Sequence, residues 1–318
     1  MLNEIILTIC IMSYNRKNSL VKQLEYFEKN YNNKIELIVI DNCSSDDTKE
    51  VLYEYNNRLN NFSFVINESN IGCDGSIKKS IDFCKGKYVI FLGDDMFVDG
   101  VFNKVVDALN EYDPSIMHIS NNNKDHLFKL YNLNKKEISK LIKKELSYYM
   151  FMSSNIYKKD ILLRYKDSIN LEYATTLYYS IACLSEGNLL VLNDRVIFQD
   201  YDNLSWTSKT NEVWFKNIPA IFQYFRHNGF SKKNISTMKN RNYGYFLFCS
   251  FKRLFKTISF VKKQCLFFDV LNIKSISFFV FFSLKKILRK NIYWFSLNFG
   301  GLYVEQKFSV IVRYCPCV

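Results

Sequence analysis

Residues 86–95 read Gly-Lys-Tyr-Val-Ile-Phe-Leu-Gly-Asp-Asp, an apolar run that ends in a glycine and two adjacent carboxylates. Such a run predicts a buried strand over residues 87–92. Two neighbouring carboxylates at a buried strand end repel each other, and the arrangement usually persists because a cation lies between them. Mg²⁺ and Mn²⁺ prefer oxygen ligands of this kind. Asp94 and Asp95 are therefore the first candidate site residues, with a helix-capping turn as the alternative.

The chain before this strand alternates predicted strands with predicted helices. Apolar runs predict strands over residues 5–12, 36–40 and 62–66, and apolar spacing predicts helices over 19–31, 47–59 and 76–84. A further helix is predicted over 174–185 and a strand over 189–192. This alternation indicates an α/β fold with a mostly parallel, doubly wound sheet flanked by helices.

Polar residues follow each of the first four predicted strands. The four clusters are Ser13–Arg16, Asp41–Asp47, Asn70–Gly75 and Gly93–Asp95. In open parallel sheets, ligands bind outside the carboxyl ends of the strands. Each cluster alone could be a capped turn, but the four together predict one binding site.

The net charge of +12 is unevenly distributed along the chain. Residues 203–318 contain 19 Lys or Arg and only three Asp or Glu, whereas the preceding residues are mildly acidic. We therefore predict a catalytic domain over residues 1–205, with a donor half (1–120) and an acceptor half (121–205). Residues 206–318 would form a helical, basic and aromatic region that meets an anionic partner.

Missing patterns exclude two classes of nucleotide-binding protein. The chain has no Gly-x-x-x-x-Gly-Lys-Ser/Thr loop, which excludes a P-loop NTPase, and no Gly-x-Gly-x-x-Gly fingerprint, which excludes a typical dinucleotide-binding domain. Its three histidines are scattered, which argues against a histidine-built metal site. Nine cysteines without a Cys-x-x-Cys pair favour free thiols in a reducing compartment. The N-terminus is not typical of a signal peptide, so we expect a cytoplasmic protein, or one attached to the cytoplasmic face of the inner membrane.

The order of these motifs closely resembles that of family 2 glycosyltransferases of the GT-A fold. The resemblance is specific over about residues 5–100, and few residues match the family pattern after about residue 125. It is carried by Ile9–Arg16 (ICIMSYNR), Glu36–Thr48 (ELIVIDNCSSDDT), Asn70–Gly72 (NIG) and Gly86–Asp95 (GKYVIFLGDD). It implies a hexosyltransferase that uses a nucleotide-diphosphate sugar, typically UDP-linked, with Mn²⁺ or Mg²⁺.

The resemblance also implies roles for single residues. Tyr14 and Arg16 would line the nucleotide pocket, and Asp41 would accept a hydrogen bond from the base, typically uracil. Asp94 and Asp95 would be the family's Asp-x-Asp-like element, with Asp95 as the direct metal ligand. The loop containing Asp74 would lie near the ribose or the base, and the other candidate donor-site residues are Ser13, Asn70 and Gly72.

The sequence departs from the family pattern at Met96, where many members carry a third acid or polar residue. Metal binding would then rest on one carboxylate together with phosphate oxygens and water. The departure keeps a second hypothesis open, in which the chain has lost turnover and acts as a peripheral membrane or glycan-binding module. A nucleotidyltransferase is a weaker alternative, because the Gly-rich phosphate loop near the N-terminus is absent.

Transfer of a sugar to a hydroxyl requires a base, and with so few histidines the base should be Asp or Glu. Glu172, just before the helix predicted over 174–185, is the first candidate, although it could also be a solvated acid in the first turn. Its rivals are Asp194, Asp200 and Asp202. By resemblance the reaction inverts the anomeric centre, and Ser153–Asn155 opens the acceptor half of the site.

The C-terminal region predicts a membrane contact. Residues 246–263 and 275–290 mix phenylalanines with lysines and arginines, a pattern typical of helices that lie on an anionic surface. Packing of these helices on the catalytic domain is the alternative, and no motif favours nucleic acid. The acceptor would then be a growing surface glycan or glycolipid (capsule, lipooligosaccharide core or O-antigen) on a membrane lipid.

Overall fold

A computed structural model of the chain describes residues 4–30, 32–120, 128–194, 197–198, 209 and 212–239. Asp200, Asp202 and the two basic segments predicted at 246–263 and 275–290 lie outside the described residues.

Eight strands form the central sheet, in the order β3-β2-β1-β4-β8-β6-β9-β7. They are β1 Leu7–Ser13, β2 Ile35–Asp41, β3 Phe62–Ile66, β4 Tyr88–Leu92, β6 Ile116–Ile119, β7 Phe128–Asn132, β8 Asn155–Lys158 and β9 Asn188–Leu192. Only β8 and β7 run antiparallel to their neighbours. The short strands β5 (Met96–Phe97) and β10 (Ile197–Phe198) pair antiparallel beside it. The predicted α/β fold with a mostly parallel sheet is confirmed.

Helices cover both faces of this sheet. They are α1 Lys17–Lys29, α2 Thr48–Asn56, α3 Gly72–Ile81, α4 Val101–Tyr112, α5 Lys135–Met150, α6 Lys159–Tyr165, α7 Thr175–Glu186 and α8 Ile218–His227. A 3-10 turn (Met152–Ser154) joins α5 to β8, a π-helical turn (Val213–Asn217) precedes α8, and a further helix spans 232–239. No helix among the described residues is both long and apolar enough to cross a membrane.

Two hydrophobic cores result, one on each face of the sheet. Helices α1, α2 and α4 contribute to one core, and α3, α5, α6, α7 and α8 to the other. Phe215, Phe222 and Phe225, which follow the predicted boundary at residue 205, are buried in the second core beside α5 and α7. The described part of the basic region thus packs on the acceptor half, while the boundary itself stays a prediction.

The four predicted donor-half strands are confirmed, and β3 has the predicted bounds. Helix bounds differ more, and the largest difference is at α3, which begins at Gly72, four residues before the predicted start at 76. The Asn70 side chain accepts a hydrogen bond from the Gly72 N–H (2.9 Å), which organises the turn where the helix begins. Asp74 therefore lies in the first turn of a helix and not in a loop.

Gly86 provides a test of how closely β1 and β4 are packed. A Cβ atom at this position would lie 2.6 Å from the backbone nitrogen of Thr8 and 2.8 Å from the carbonyl carbon of Leu7. Because both atoms belong to the backbone, neither can move aside. We expect Gly86→Ala to lower the free energy of unfolding by about 1–3 kcal/mol, as overpacking does, in urea denaturation.

Gly75→Ala is the matched control, since the three atoms nearest to its Cβ would all belong to the Ile71 side chain, at 3.1–3.3 Å. Ile71 is exposed and can change rotamer. Equal unfolding free energies for the two variants would contradict the tight packing at Gly86.

Candidate functional site

The sheet register brings the predicted polar clusters to one edge. Ser13, the last residue of β1, is paired with Asp41 at the end of β2. On the other side of β1, Ile11 is paired with Leu92, so that Asp94 follows the end of β4 beside the end of β1. The Arg16 Nε atom lies 3.3 Å from an Asp94 carboxylate oxygen. Three of the four clusters thus meet where a ligand can contact all of them.

A side-chain network joins the loops that follow β1 and β2. The buried Asp41 carboxylate accepts hydrogen bonds from the Ser44 hydroxyl and from the Ser44 N–H (3.2 Å). The Ser44 hydroxyl oxygen accepts from the Asn15 N–H (2.9 Å), and Asn15 Oδ1 accepts from the Ser45 N–H (2.8 Å). Asn15 has a φ of +53°, which Asn tolerates better than most residues. The network holds Asp41 in one orientation.

Two other residues of this first cluster differ in their surroundings. The Tyr14 ring is about half-exposed, at 47%. The Ser13 hydroxyl is buried and has no hydrogen-bond partner among the described residues. A buried polar atom without a partner is costly and indicates a place where a ligand or water supplies the missing bond.

Asn70 and Gly72 belong to a turn that Asn42 organises. Asn42 Oδ1 accepts from the Asn67 amide (3.1 Å) and from the Ile71 N–H (2.9 Å), while its amide donates to Asn70 Oδ1 (2.7 Å). The amide oxygen of Asn70 therefore serves the turn itself. The turn adjoins the Asp41 loop because Asn42 is the next residue in the chain.

Asp74 is directed toward the acceptor half. It is buried, and its carboxylate accepts hydrogen bonds from the N–H groups of Tyr173 and Thr175 (3.2 Å for the latter) at the start of α7. Burial raises the pKa of Asp74, although these hydrogen bonds act in the opposite direction. The structure thus places Asp74 against the segment before α7, and its role near a ribose stays a prediction.

The end of β4 is held from two sides. The Gln23 amide nitrogen on α1 donates to the carbonyl oxygens of Gly93 and Asp95, at 2.8 Å each. The Ser153 hydroxyl, on the 3-10 turn before β8, donates to the Asp95 carboxylate. Gln23, Asp95 and Ser153 are 2%, 7% and 0% exposed. This strand end is therefore rigidly positioned by hydrogen bonds from buried side chains.

The donor set at this strand end fits a hard divalent cation. Within the part of the chain that the structure describes, no three His, Cys, Asp or Glu side chains cluster as a complete metal site. The strand end instead offers the Asp94 carboxylate beside the Arg16 guanidinium and the Asp95 carboxylate bound by Ser153. Such a set suits Mg²⁺ or Mn²⁺, which are commonly held by one or two carboxylates together with substrate phosphates and water.

The candidate bases lie in different environments. Glu172 is exposed on the segment before α7, and its carbonyl oxygen accepts a hydrogen bond from the Asn217 amide. The Thr176 hydroxyl on α7 donates to the Met150 carbonyl (2.6 Å), which places this segment beside the turn that carries Ser153. Asp194, by contrast, is ion-paired with Lys104 (2.6 Å).

Gln23 was missed by the sequence analysis, although a signal for it exists. Leu20, Leu24 and Phe27 mark the buried face of α1, and position 23 lies on the same face. A glutamine among core positions must have buried hydrogen-bond partners. The identity of those partners, however, cannot be read from helical spacing.

Comparison with known proteins extends this picture. The model of the family described as "Glycosyl transferase family 2" matches residues 8–166. The abequosyltransferase RfbV of Salmonella typhimurium is 31% identical over 96 residues, 28% of each chain. A GalNAc(5)-diNAcBac-PP-undecaprenol beta-1,3-glucosyltransferase of Campylobacter jejuni is 27% identical over 107 residues, 33% of this chain and 35% of the relative. The matches span about a third of these relatives or less.

Solved structures share the fold at low sequence identity. The S. aureus TarS 1–349 structure in complex with UDP-GlcNAc has a TM-score of 0.58 and 16% identity, over 76% of this chain and 73% of that one. The mannosyltransferase PcManGT from Pyrobaculum calidifontis, in complex with GDP-Man and Mn²⁺, has a TM-score of 0.53 and 11% identity, over 91% and 82%. These likenesses show the fold alone, which is the GT-A fold predicted from the sequence. With the family model matching half of its residues and the GT-A fold around them, the chain belongs to glycosyl transferase family 2.

Proposed function

We propose that this protein is a glycosyltransferase that moves a sugar from a nucleotide-diphosphate donor, a UDP-sugar, to a glycan acceptor in surface-polysaccharide synthesis. The observation that carries the proposal is the meeting of Ser13, Arg16, Asp41 and the Asp94–Asp95 pair at one edge of the sheet. Membership of the family and nucleotide-sugar donors in the names of two structural neighbours support it.

The nucleoside would bind at the ends of β1 and β2. Tyr14 offers a half-exposed ring for stacking, and the Asp41 carboxylate, oriented by Ser44, would accept a hydrogen bond from the base. The buried Ser13 hydroxyl would gain its missing partner from the nucleotide. A uracil ring, which offers an imide N–H donor, fits an acceptor carboxylate at this place.

The diphosphate would bind between Arg16 and the end of β4. Arg16 is only partly exposed and offers a planar cation for phosphate oxygens. Asp95, with Asp94 beside it, would hold Mn²⁺ or Mg²⁺. The bound cation would supply the Lewis acidity that neutralises the charge of the leaving diphosphate.

Glu172 would act as the general base. Its carboxylate would take the proton of the acceptor hydroxyl while the hydroxyl oxygen bonds to the anomeric carbon and the bond to the diphosphate oxygen breaks, which inverts that carbon. Its exposure on the segment that Asp74 and Asn217 hold supports this choice. Asp194 is already paired with Lys104, and Asp200 stays a rival candidate.

The acceptor would be a glycan on a membrane lipid, in capsule, lipooligosaccharide or O-antigen synthesis. The strongly basic residues 203–318 would bring the enzyme to the anionic cytoplasmic face of the inner membrane. The undecaprenol carrier in the name of the Campylobacter relative supports a lipid-linked acceptor. Nucleic acid is not proposed as a partner.

Nucleotide binding can be tested without an acceptor. We expect UDP with Mn²⁺ to raise the melting temperature more than GDP, dTDP or CMP, and EDTA to remove the shift. A ligand at 100 times its Kd stabilises the folded state by about 2.7 kcal/mol, a shift on the order of 5 °C for a chain of this size. Asp95→Asn should abolish the shift that depends on Mn²⁺, in the same thermal-unfolding measurement.

Asp99→Asn is the matched control, because Asp99 is an exposed acid four residues further on that contacts Asn30. It should keep the shift of the unaltered protein. No shift with any nucleotide would reject the donor site. It would favour the alternative, a protein that has lost turnover and binds membranes or glycans.

The base can be tested with the donor that this screen identifies. We expect Glu172→Gln to lower kcat by roughly 10²- to 10⁴-fold, the usual contribution of a general base, and to leave the UDP-dependent melting shift unchanged. Transfer of labelled sugar into the lipid-linked glycans of a bacterial membrane fraction is the measurement. Full transfer by Glu172→Gln, with transfer lost in Asp194→Asn or Asp200→Asn, would assign the base to that rival.

A further inference from the structure

Two buried side chains that are not among the predicted donor-site residues bind the segment that carries Asp95. Gln23 donates both of its bonds to the carbonyl oxygens of Gly93 and Asp95, which flank Asp94. Ser153 donates to the Asp95 carboxylate itself. The two residues come from opposite directions, α1 on one face of the sheet and the turn between α5 and β8.

Position 23 is an energetically unfavourable place for an amide, because it is buried among apolar residues. It lies on the buried face of α1 with Leu20, Leu24 and Phe27, where a leucine would pack without any hydrogen-bond requirement. A buried amide is tolerated only when its hydrogen bonds are made. Both bonds of the Gln23 nitrogen go to the carbonyl oxygens on either side of Asp94. The amide therefore fixes the backbone that carries the Asp94 and Asp95 carboxylates.

Ser153 acts on the carboxylate and not on the backbone. Asp94 and Asp95 are adjacent acids that repel each other, and the structure gives each a different partner. Arg16 approaches Asp94, while the Ser153 hydroxyl fixes the orientation of the Asp95 carboxylate. Ligands that are oriented before a cation arrives bind it more tightly, because less conformational freedom is lost on binding.

We propose that Gln23 and Ser153 are positioning residues, which preorganise Asp95 for a divalent cation bound together with the donor diphosphate. The inference rests on the proposed donor site. Neither residue is proposed to touch the nucleotide; both act through Asp95. Since Ser153 belongs to the turn that follows α5, the acceptor half of the fold would help to set the metal affinity of the donor half.

Gln23→Met and Ser153→Ala remove the donors with little change in volume. Each has a matched control. Tyr26→Phe removes another hydrogen bond that α1 makes to the segment between β4 and α4. This bond runs from the Tyr26 hydroxyl to the Val98 carbonyl (2.9 Å) and does not involve Asp95. Ser154→Ala makes the same change one residue along the turn. Ser153→Thr keeps the hydroxyl and should keep the Mn²⁺ dependence of the unaltered protein.

The measurement is the Mn²⁺ concentration that gives half of the UDP-dependent melting shift, together with direct Mn²⁺ binding by electron paramagnetic resonance. We expect Gln23→Met and Ser153→Ala to raise this concentration by roughly 10- to 100-fold, the usual effect of removing a residue that orients a metal ligand. Tyr26→Phe and Ser154→Ala should change it by less than about twofold, even where the melting temperature without ligand falls equally.

Two results would overturn the inference, and they differ from each other. If the unaltered protein shows no UDP shift that depends on Mn²⁺, the proposed donor site fails and the positioning role fails with it. If that shift is present but the two test variants and their two controls all need the same Mn²⁺ concentration as the unaltered protein, only the positioning role is wrong.

Discussion

Repulsion between the adjacent carboxylates of Asp94 and Asp95 is the constraint around which this edge of the sheet is organised. Two acids at the end of a buried strand are unfavourable unless other groups compensate. Arg16 after β1 and Ser153 before β8 each contact one of the two carboxylates, and Gln23 on α1 holds the backbone that carries them. The position of each element follows from the sheet order, in which β4 lies between β1 and β8.

A second set of polar contacts ties the two halves of the fold together. Asp74 on α3 accepts hydrogen bonds from the segment before α7, and Asn217 donates to the Glu172 carbonyl from the other side. Thr176 joins the same segment to the end of α5. Glu172 is therefore exposed on a segment whose backbone is held at three points. A base requires such fixed placement, since proton transfer depends on geometry before it depends on pKa.

The residues between Val213 and Phe225 also help to hold this segment. Phe215, Phe222 and Phe225 fill the same core as α5 and α7. The segment that supplies Asn217 is thus part of the structure that holds Glu172, although it follows the boundary predicted from the change in charge. Charge along the sequence reports which surfaces meet solvent or partners, whereas shared apolar burial determines which elements pack together.

The strand predictions for the donor half were confirmed, because each rested on a local pattern. Continuous apolar runs mark β1, β2, β3 and β4, and the polar residues after them mark the edge where they end. Of the elements between residues 101 and 165, helical spacing at Ile138, Ile142 and Leu146 predicted α5, and the others were not predicted. Of these, β6 and β8 have four residues each, and so short an apolar run does not distinguish a strand from a segment of helix.

The sequence by itself determined the α/β class, the four strand ends and the likeness to family 2 glycosyltransferases, because these depend on periodicity and on motifs within about 15 residues. Only the tertiary structure decided that Gln23 and Ser153 bind the strand end of Asp95, and that Asp74 is directed toward α7. The hydrogen-bonded partners in these contacts are 58 to 101 residues apart along the chain. No local pattern encodes them, since they exist only once the sheet order has brought α1, β4 and β8 together.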